Sequence, residues 1–220
     1  MTSRPTTDNQ DGSLRSWQGS FGESYIQRNP PTVEATSDAA AVFRRILDCS
    51  GILLEISSVL EVGANVGINL IGLRQVLGQA ARLSALEPNP QACEELRRNK
   101  ALGLDEVIES SACRIPLPDA AFDLTFTNGV LIHIPPDRLA EAMCEIARVS
   151  RRFVLCSEYF SHVPVEIPYR GQSGMLWKRD FGLAYLKNCP DLKARNYGFL
   201  WQTEFPHFDN LNWWLFETNR

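Results

Sequence analysis

The sequence has no C-x-x-C pair, no clustered histidines, no excess of positive charge and no long apolar run, and each absence removes a class of function. Its six cysteines (Cys49, Cys93, Cys113, Cys144, Cys156 and Cys189) are scattered. That spacing indicates neither a thiolate metal site nor a redox pair, and most of them are expected as small buried apolar residues. His133, His162 and His207 lie far apart without ligand-like spacing, so no metal is expected. A formal net charge of -4 gives no electrostatic case for nucleic acid. No run approaches the roughly 20 apolar residues of a membrane span, so no membrane partner is expected. Met1 to Ser20 is polar and carries no signal-peptide core, which makes a cytoplasmic protein the expectation.

What is present is an ordinary soluble composition organised around one stretch. At 220 residues with 44% hydrophobic residues, the chain suits one α/β domain with additions. Met1 to Arg15 is rich in Thr, Ser, Asp and Pro and is expected as a mobile arm. Trp17, Phe21 and Tyr25 then fall within nine residues, reading as a short aromatic cap that Pro30-Pro31 ends. Ser37 or Asp38 can cap a helix carrying Val42, Phe43, Ile46 and Leu47. Strands follow at Ser58 to Val62, Arg82 to Leu86, around Val107 to Ser111, Ala121 to Thr127 and Arg152 to Cys156. Helices separate them, one with Asn89 as cap and Pro90 at its first position. Pro135-Pro136-Asp137 opens another. Ser157 to Trp177 reads as irregular, Asp180 to Lys187 as a short helix, and Ala194 to Trp201 and Leu211 to Glu217 as two antiparallel strands at a sheet edge. The alternation predicts a doubly wound, Rossmann-like α/β domain with a mostly parallel sheet and an antiparallel C-terminal hairpin. Residues 1–35 form the arm and cap, and residues 36–220 the single domain.

In such a sheet a ligand binds beyond the carboxyl ends of the strands, where strand order reverses. After the first strand, Gly63 and Gly67 allow close backbone approach, with Ala64 and Asn65 between them. Asn65 stands where a third glycine would complete a dinucleotide fingerprint, and no Gly-Lys-Ser/Thr ending follows, so a polyphosphate ligand is disfavoured. Glu87, after the second strand and about 20 residues beyond the glycine turn, can accept hydrogen bonds from both hydroxyls of a ribose. A ribose without strong phosphate features points to a nucleoside.

Glu61-x-Gly63-x-Asn65-x-Gly67, Glu87-Pro88-Asn89, Ser111-Ala112 and Phe122-Asp123-Leu124, in this order, resemble the class I S-adenosylmethionine-dependent methyltransferases. The likeness covers roughly Phe43 to Cys156. A narrower one extends over most of the chain. Trp17-x-Gly19-x-Phe21-Gly22-x-x-Tyr25-x-x-Arg28-Asn29, Gly129 to Ile134, Pro168-Tyr169-Arg170-Gly171 and Lys178-Arg179-Asp180-Phe181 resemble the pseudaminic acid biosynthesis-associated methylases.

The resemblance implies S-adenosylmethionine as cofactor. Gly63, Asn65 and Gly67, with Glu61 before them, would wrap its methionine part, and Glu87 with Pro88 would hold the ribose. Ser111, Ala112 and Cys113 would flank the adenine edge, and Asn128 would bind the amino or carboxylate group. Tyr25 and Arg28 would close from the cap, Arg28 pairing with a carboxylate. Trp17, Tyr25 and Tyr169 are candidates for a cage around the sulfonium. Two positions depart from the narrower pattern, which has Lys at Asn128 and His at Gln172.

The leading expectation is methylation of a small polar metabolite by in-line displacement, with His133 or Tyr169 taking a proton. Arg170 and Lys178 could hold an acidic substrate. The alternative is a cyclase related to azetidine-2-carboxylate synthases. There the cofactor's own α-amino nitrogen attacks its γ-carbon, releasing methylthioadenosine and azetidine-2-carboxylate. That chemistry needs a neutral amine, and the reference pKa of about 7.7 to 8.0 makes modest desolvation sufficient. A neutral Asn128 suits it better than a Lys. Tyr25, Asn128, His133 and Tyr169 are thus the candidate catalytic residues. A non-catalytic S-adenosylmethionine-binding subunit is the third reading. The partner is a small-molecule substrate or none beyond the cofactor, and the oligomeric state is open.

Overall fold

Val59, Leu60 and Val62 present apolar side chains to both faces of the chain, which only a strand covered on both sides can bury. In the computed structural model, which describes residues 12–219, they lie in β1 (Ser58–Val62), all of it buried. β2 (Arg82–Glu87) and β3 (Glu106–Glu109) follow on one side and β4 (Phe122–Asn128) and β5 (Ser150–Glu158) on the other. A small two-stranded sheet of β6 (Val165–Glu166) and β7 (Trp177–Lys178) comes next, then β8 (Leu192–Leu200) and β9 (Leu211–Thr218). The main sheet has seven strands in the order β3-β2-β1-β4-β5-β9-β8. β1 to β5 pair in parallel, and β9 inserts antiparallel between β5 and β8. The doubly wound fold with its antiparallel C-terminal hairpin is therefore as expected. Strand order reverses between β1 and β4, so the crevice opens at their carboxyl ends.

Seven helices surround the sheet: α1 (Gly12–Gln18), α2 (Ser20–Arg28), α3 (Val33–Cys49), α4 (Ile68–Leu77), α5 (Pro90–Arg98), α6 (Leu139–Val149) and α7 (Phe181–Asn188). Phe43, Ile46 and Leu47 of α3 and Leu70 and Leu73 of α4 cover one face, with the Phe43 and Phe126 rings edge-on at 5.0 Å. Met143 and Ile146 of α6 and Phe181 and Tyr185 of α7 cover the other. α3 and α4 approach closely because Gly72 has no Cβ, which would sit 2.6 Å from the Ala40 nitrogen.

Several boundaries differ from expectation for local reasons. Thr32, not Ser37 or Asp38, caps α3 by accepting from the Ala35 N–H, because Pro30-Pro31 delivers the chain directly to that turn. Asp38 bonds His207 instead. β3 stops at Glu109, since the Ser110 N–H turns to the Glu87 carbonyl. The segment expected as irregular contains the β6–β7 pair. Of the expected arm, Met1 to Asp11 lie outside the described residues, and Gly12 to Arg15 are helical. The Ser13 hydroxyl ties that helix down by donating to the His133 carbonyl at 3.0 Å. Three cysteines, Cys93, Cys156 and Cys189, are buried, but Cys49 and Cys144 are exposed.

Phe122-Asp123-Leu124 sits at the amino end of the sheet, opposite the crevice. One Asp123 oxygen accepts from the Ser57 and Ser58 amides (2.9 and 3.0 Å) and from both serine hydroxyls, and Arg151 takes the other. Burial favours the neutral acid, but the hydrogen bonds from Arg151 and the serines hold this carboxyl well below the usual range. Asp123 thus staples β1 to β4. Asp123→Ala, which strands two backbone N–H groups, is expected to cost about 3 kcal/mol. In urea unfolding the midpoint should fall while the slope stays unchanged.

Candidate functional site

Each strand of the sheet's centre delivers one wall. After β1 the backbone turns through Gly63 (φ 78°), Asn65 (φ 47°) and Gly67 (φ 83°) into α4. Gly63 satisfies two demands, because a Cβ there would be strained and would lie 2.6 Å from a methyl of Val130. The Gly63 and Ala64 amides both reach the Leu86 carbonyl (2.7 and 3.2 Å), which locks the turn to β2.

Glu87 ends β2 and is buried. Its carboxylate accepts from the Asn65 N–H at 2.8 Å and the Asn89 N–H at 2.9 Å. Burial pushes its pKa up to about 7 against those two hydrogen bonds. Asn89 caps α5 with its side-chain oxygen and donates its amide N–H to the Trp17 carbonyl at 2.8 Å. After β3, Ser111, Ala112 and Cys113 form the opposite edge, and after β4 come Asn128, Gly129, Val130 and a short 3-10 turn, Leu131–His133.

α1 and α2 close the top. They cross so tightly that a Cβ on Gly22 would lie 1.9 Å from the Trp17 carbonyl oxygen and 2.6 Å from the Asn89 amide. Trp17 contacts Phe21 (5.0 Å between centroids), Tyr25 (5.3 Å) and His133 (4.6 Å), and Tyr169 stands behind against His133 (5.1 Å) and Phe21 (5.9 Å). The Trp17 indole N–H is buried and has no hydrogen-bond partner, so a donor is available at the cavity wall.

Burial favours the neutral form of several ionisable groups here. Burial, with Tyr169 adding to it, pushes the Tyr25 phenol up to about 12. Burial lowers His133 to about 4, opposed by the 2.6 Å bond between its Nδ1 and the Met175 carbonyl. A carbonyl only accepts, so Nδ1 carries the proton and Nε2 keeps its lone pair. Glu61 is also pushed upward by burial, and Asn69 donates to it at 2.6 Å.

These walls enclose a cavity of about 240 Å³. Of the residues expected at the site, Trp17, Tyr25, Gly63, Asn65, Glu87, Pro88, Ser111, Ala112, Cys113, Asn128 and His133 line it together. Four do not. Arg28 is exposed, with its guanidinium 5.7 Å from the Tyr25 ring. Glu61 lies beneath the wall and reaches the cavity only through Asn69. Gly67 packs on Leu96 and Leu102, and Tyr169 sits one layer back. Arg170 and Lys178 also lie off the cavity, Lys178 over the Tyr159 ring at 4.8 Å. Ser13, Asn29, Asn69, Arg138, His207 and Phe208 line the cavity unanticipated. Asn69 was open to inference, being the first polar residue inside α4; His207 and Phe208 arrive from the loop between β8 and β9, with no local signal.

Residues 60–157, from within β1 to within β5, match the family model of a methyltransferase domain. No match is found among curated protein sequences. Solved structures align over almost the whole chain. The 1,6-didemethyltoxoflavin-N1-methyltransferase of Burkholderia thailandensis, bound to its substrate and S-adenosylhomocysteine, is 19% identical, with 94% of this chain and 88% of that one covered and a TM-score of 0.67. The magnesium protoporphyrin IX methyltransferase of Synechocystis, with bound S-adenosylhomocysteine, is 14% identical over 93% and 98%, also at 0.67. The cyclase SpnF aligns at 12% identity over 78% and 80%, with a TM-score of 0.56. The fold is the Rossmann-like methyltransferase fold.

Gly63 and Gly129 both adopt positive φ, but only Gly63 faces a neighbour. Gly63→Ala is expected to lose about 1–2 kcal/mol to left-handed strain and more to Val130, whereas Gly129→Ala loses the strain alone. Thermal melts of the two variants check this, Gly63→Ala melting roughly 2–4 °C lower for each further kcal/mol.

Proposed function

We propose that this chain is an S-adenosylmethionine-dependent methyltransferase that acts on a small polar metabolite. The observation that carries the reading is Glu87, a buried carboxylate at the tip of β2, beside the Gly63–Asn65 turn and on the cavity wall. That is where a ribose needs an acceptor in this fold. The match over residues 60–157 and the aligned methyltransferases holding S-adenosylhomocysteine support it.

The residues present fit the cofactor. Glu87 would take the ribose hydroxyls, Ser111 to Cys113 the adenine edge, and Asn65 and Asn69 the methionine end near the α4 N-terminus. The buried, unpartnered Trp17 indole N–H supplies a donor from the cap. When bound, S-adenosylmethionine supplies carbons made electrophilic by the sulfonium. What the chain itself does is place and desolvate. Asn128 would orient a polar group without adding charge, and Trp17 and Tyr25 are the aromatic rings on the wall that would attract a cation. The neutral Nε2 of His133 can accept a proton from an acceptor hydroxyl or amine.

The second reading is intramolecular ring closure to azetidine-2-carboxylate, and Asn128 favours it. This neutral amide at the end of β4 would accept a hydrogen bond from the attacking amine and leave its lone pair free, where a Lys ammonium, which only donates, would occupy that lone pair. The resemblance to pseudaminic acid biosynthesis-associated methylases bears on the acceptor of the first reading and does not decide between the two.

The deciding experiment incubates purified protein with S-adenosylmethionine alone and resolves products by mass. Methyl transfer predicts no turnover until an acceptor is added, then S-adenosylhomocysteine. Ring closure predicts methylthioadenosine without acceptor. Binding without turnover across acceptors leaves a non-catalytic subunit. A second measurement uses Asn128→Lys. If ring closure is the reaction, the variant should slow turnover at least about tenfold, an increase of roughly 1.4 kcal/mol in barrier. An unchanged rate removes Asn128 from the argument.

A further inference from the structure

Glu158, the last residue of β5, does not line the cavity, yet it is a fully buried acid at 0% exposure. One oxygen accepts from the N–H groups of Val130 (3.1 Å) and Leu131 (2.9 Å), the other from Ile132 (3.3 Å). These are three successive amides of the 3-10 turn after β4, whose first N–H groups have no partner within so short a helix. An anion is the acceptor that such a nest of amides selects.

That turn is a junction. Asn128 precedes it, and the Val130 methyls occupy the space over Gly63. His133 ends it, with its carbonyl taking the Ser13 hydroxyl of α1 and its Nδ1 donating to Met175. Glu158 therefore lies beneath the one piece of chain that touches the glycine turn, the cap and the aromatic cluster.

We propose that Glu158 is a positioning residue for the cavity: its ionised carboxylate fixes the 130–132 turn, and proton uptake releases that turn and loosens the ligand site. The consequence for binding rests on the S-adenosylmethionine reading above. The groups facing Glu158 are Thr127 of β4, Cys156 of β5 and Tyr185 of α7, and none is a cation. Burial raises its pKa to about 7, opposed by the three amides. Once protonated, one oxygen becomes a hydroxyl that donates to the Thr127 hydroxyl instead of accepting from an amide, and its hydrogen bond to the turn is lost. The sign is distinctive. A carboxyl raised from 4.5 to about 7 binds its proton better folded than unfolded, so global stability rises as pH falls between those values while the turn loosens.

The test reads amide hydrogen exchange at Val130, Leu131 and Ile132 in the ligand-free protein from pH 6 to 8, corrected for intrinsic rates. Wild type is expected to lose protection as pH falls through about 7. E158Q should lack that step and be less protected at pH 8 by roughly tenfold. Calorimetric titration of S-adenosylmethionine at pH 8 should show roughly tenfold weaker binding to E158Q than to wild type. Glu87 titrates in the same range and faces the cavity, so the amides rather than the pH dependence of binding report on Glu158. A wild-type turn whose protection does not change with pH overturns the proposal, whether or not E158Q folds. So does an E158Q with wild-type affinity despite lost protection, which would make the role merely structural. If wild type fails to bind S-adenosylmethionine, the functional reading falls and so does positioning for that ligand; the amides then separately show whether Glu158 holds the turn.

Discussion

Three elements of this molecule meet on one buried carboxylate. Glu87 receives the Asn65 amide from the glycine turn and the Asn89 amide from the start of α5, and Asn89 passes the connection to the Trp17 carbonyl of the cap. A bare charge in that position would be unfavourable, and the two amides are what make it tolerable. The turn, the helix start and the cap are consequently fixed relative to each other before any ligand arrives. Gly22 extends the same constraint, since only a residue without a side chain lets α2 cross the Trp17 carbonyl at that distance. The acceptors that tie these pieces together are also those a ribose would approach, so structure and recognition share one group.

A second consequence is electrostatic. Tyr25 is held protonated, His133 unprotonated, and Asn128 carries no charge. The first two have the same origin in burial, which penalises whichever form is ionised. A site built this way does little by moving strong acids and bases. On the proposed reading it would work by fixing geometry, which suits displacement at a carbon already activated by a sulfonium. The Nε2 lone pair of His133 is a modest base on the wall, and its orientation is set by Met175, far away in sequence.

The fold was legible in the sequence because its signals are local and repeated. Continuous apolar strands, Asn89-Pro90 at a helix start and the glycine turn each announce themselves within a few residues, and together they dictate a doubly wound sheet. Most of the cavity wall followed, since a parallel sheet places the residues after β1 to β4 side by side. What escaped reading came through space. Phe122-Asp123-Leu124 belongs to the recognisable pattern but serves at the opposite end of the sheet, where Asp123 ties β1 to β4. Glu61 and Gly67 sit inside the motif yet act from behind it, one through Asn69 and the other by giving Leu96 and Leu102 room. Tyr169 and Arg28 have the right chemistry and stand one layer too far out. His207 and Phe208 come from a hairpin loop whose position depends on the whole sheet being assembled.

The division between legible and illegible also divides cofactor from reaction. Everything that suits an adenosine unit lies on β1 to β4 and their turns, the portion that matches the methyltransferase domain. Much of what could direct an attack on one carbon rather than another comes from outside it, Trp17 and Tyr25 from the cap, Met175 behind His133 and the β8–β9 loop, while Asn128 and His133 lie within it. The aligned structures include named methyltransferases and a cyclase on this same scaffold, so the scaffold does not determine the outcome. Two features of this chain bear on the choice, and both act on the amine of the ligand. The Asn128 carbonyl can accept from an amine N–H and leave the lone pair free, and burial favours the neutral amine that a nucleophile must be. A site that transferred a methyl group to a hydroxyl of a second molecule would gain nothing from either. It would, however, need a clear approach to the methyl group, and the edge-on Trp17 and Tyr25 rings, with His133 tilted against Trp17, stand on the cap side of the cavity.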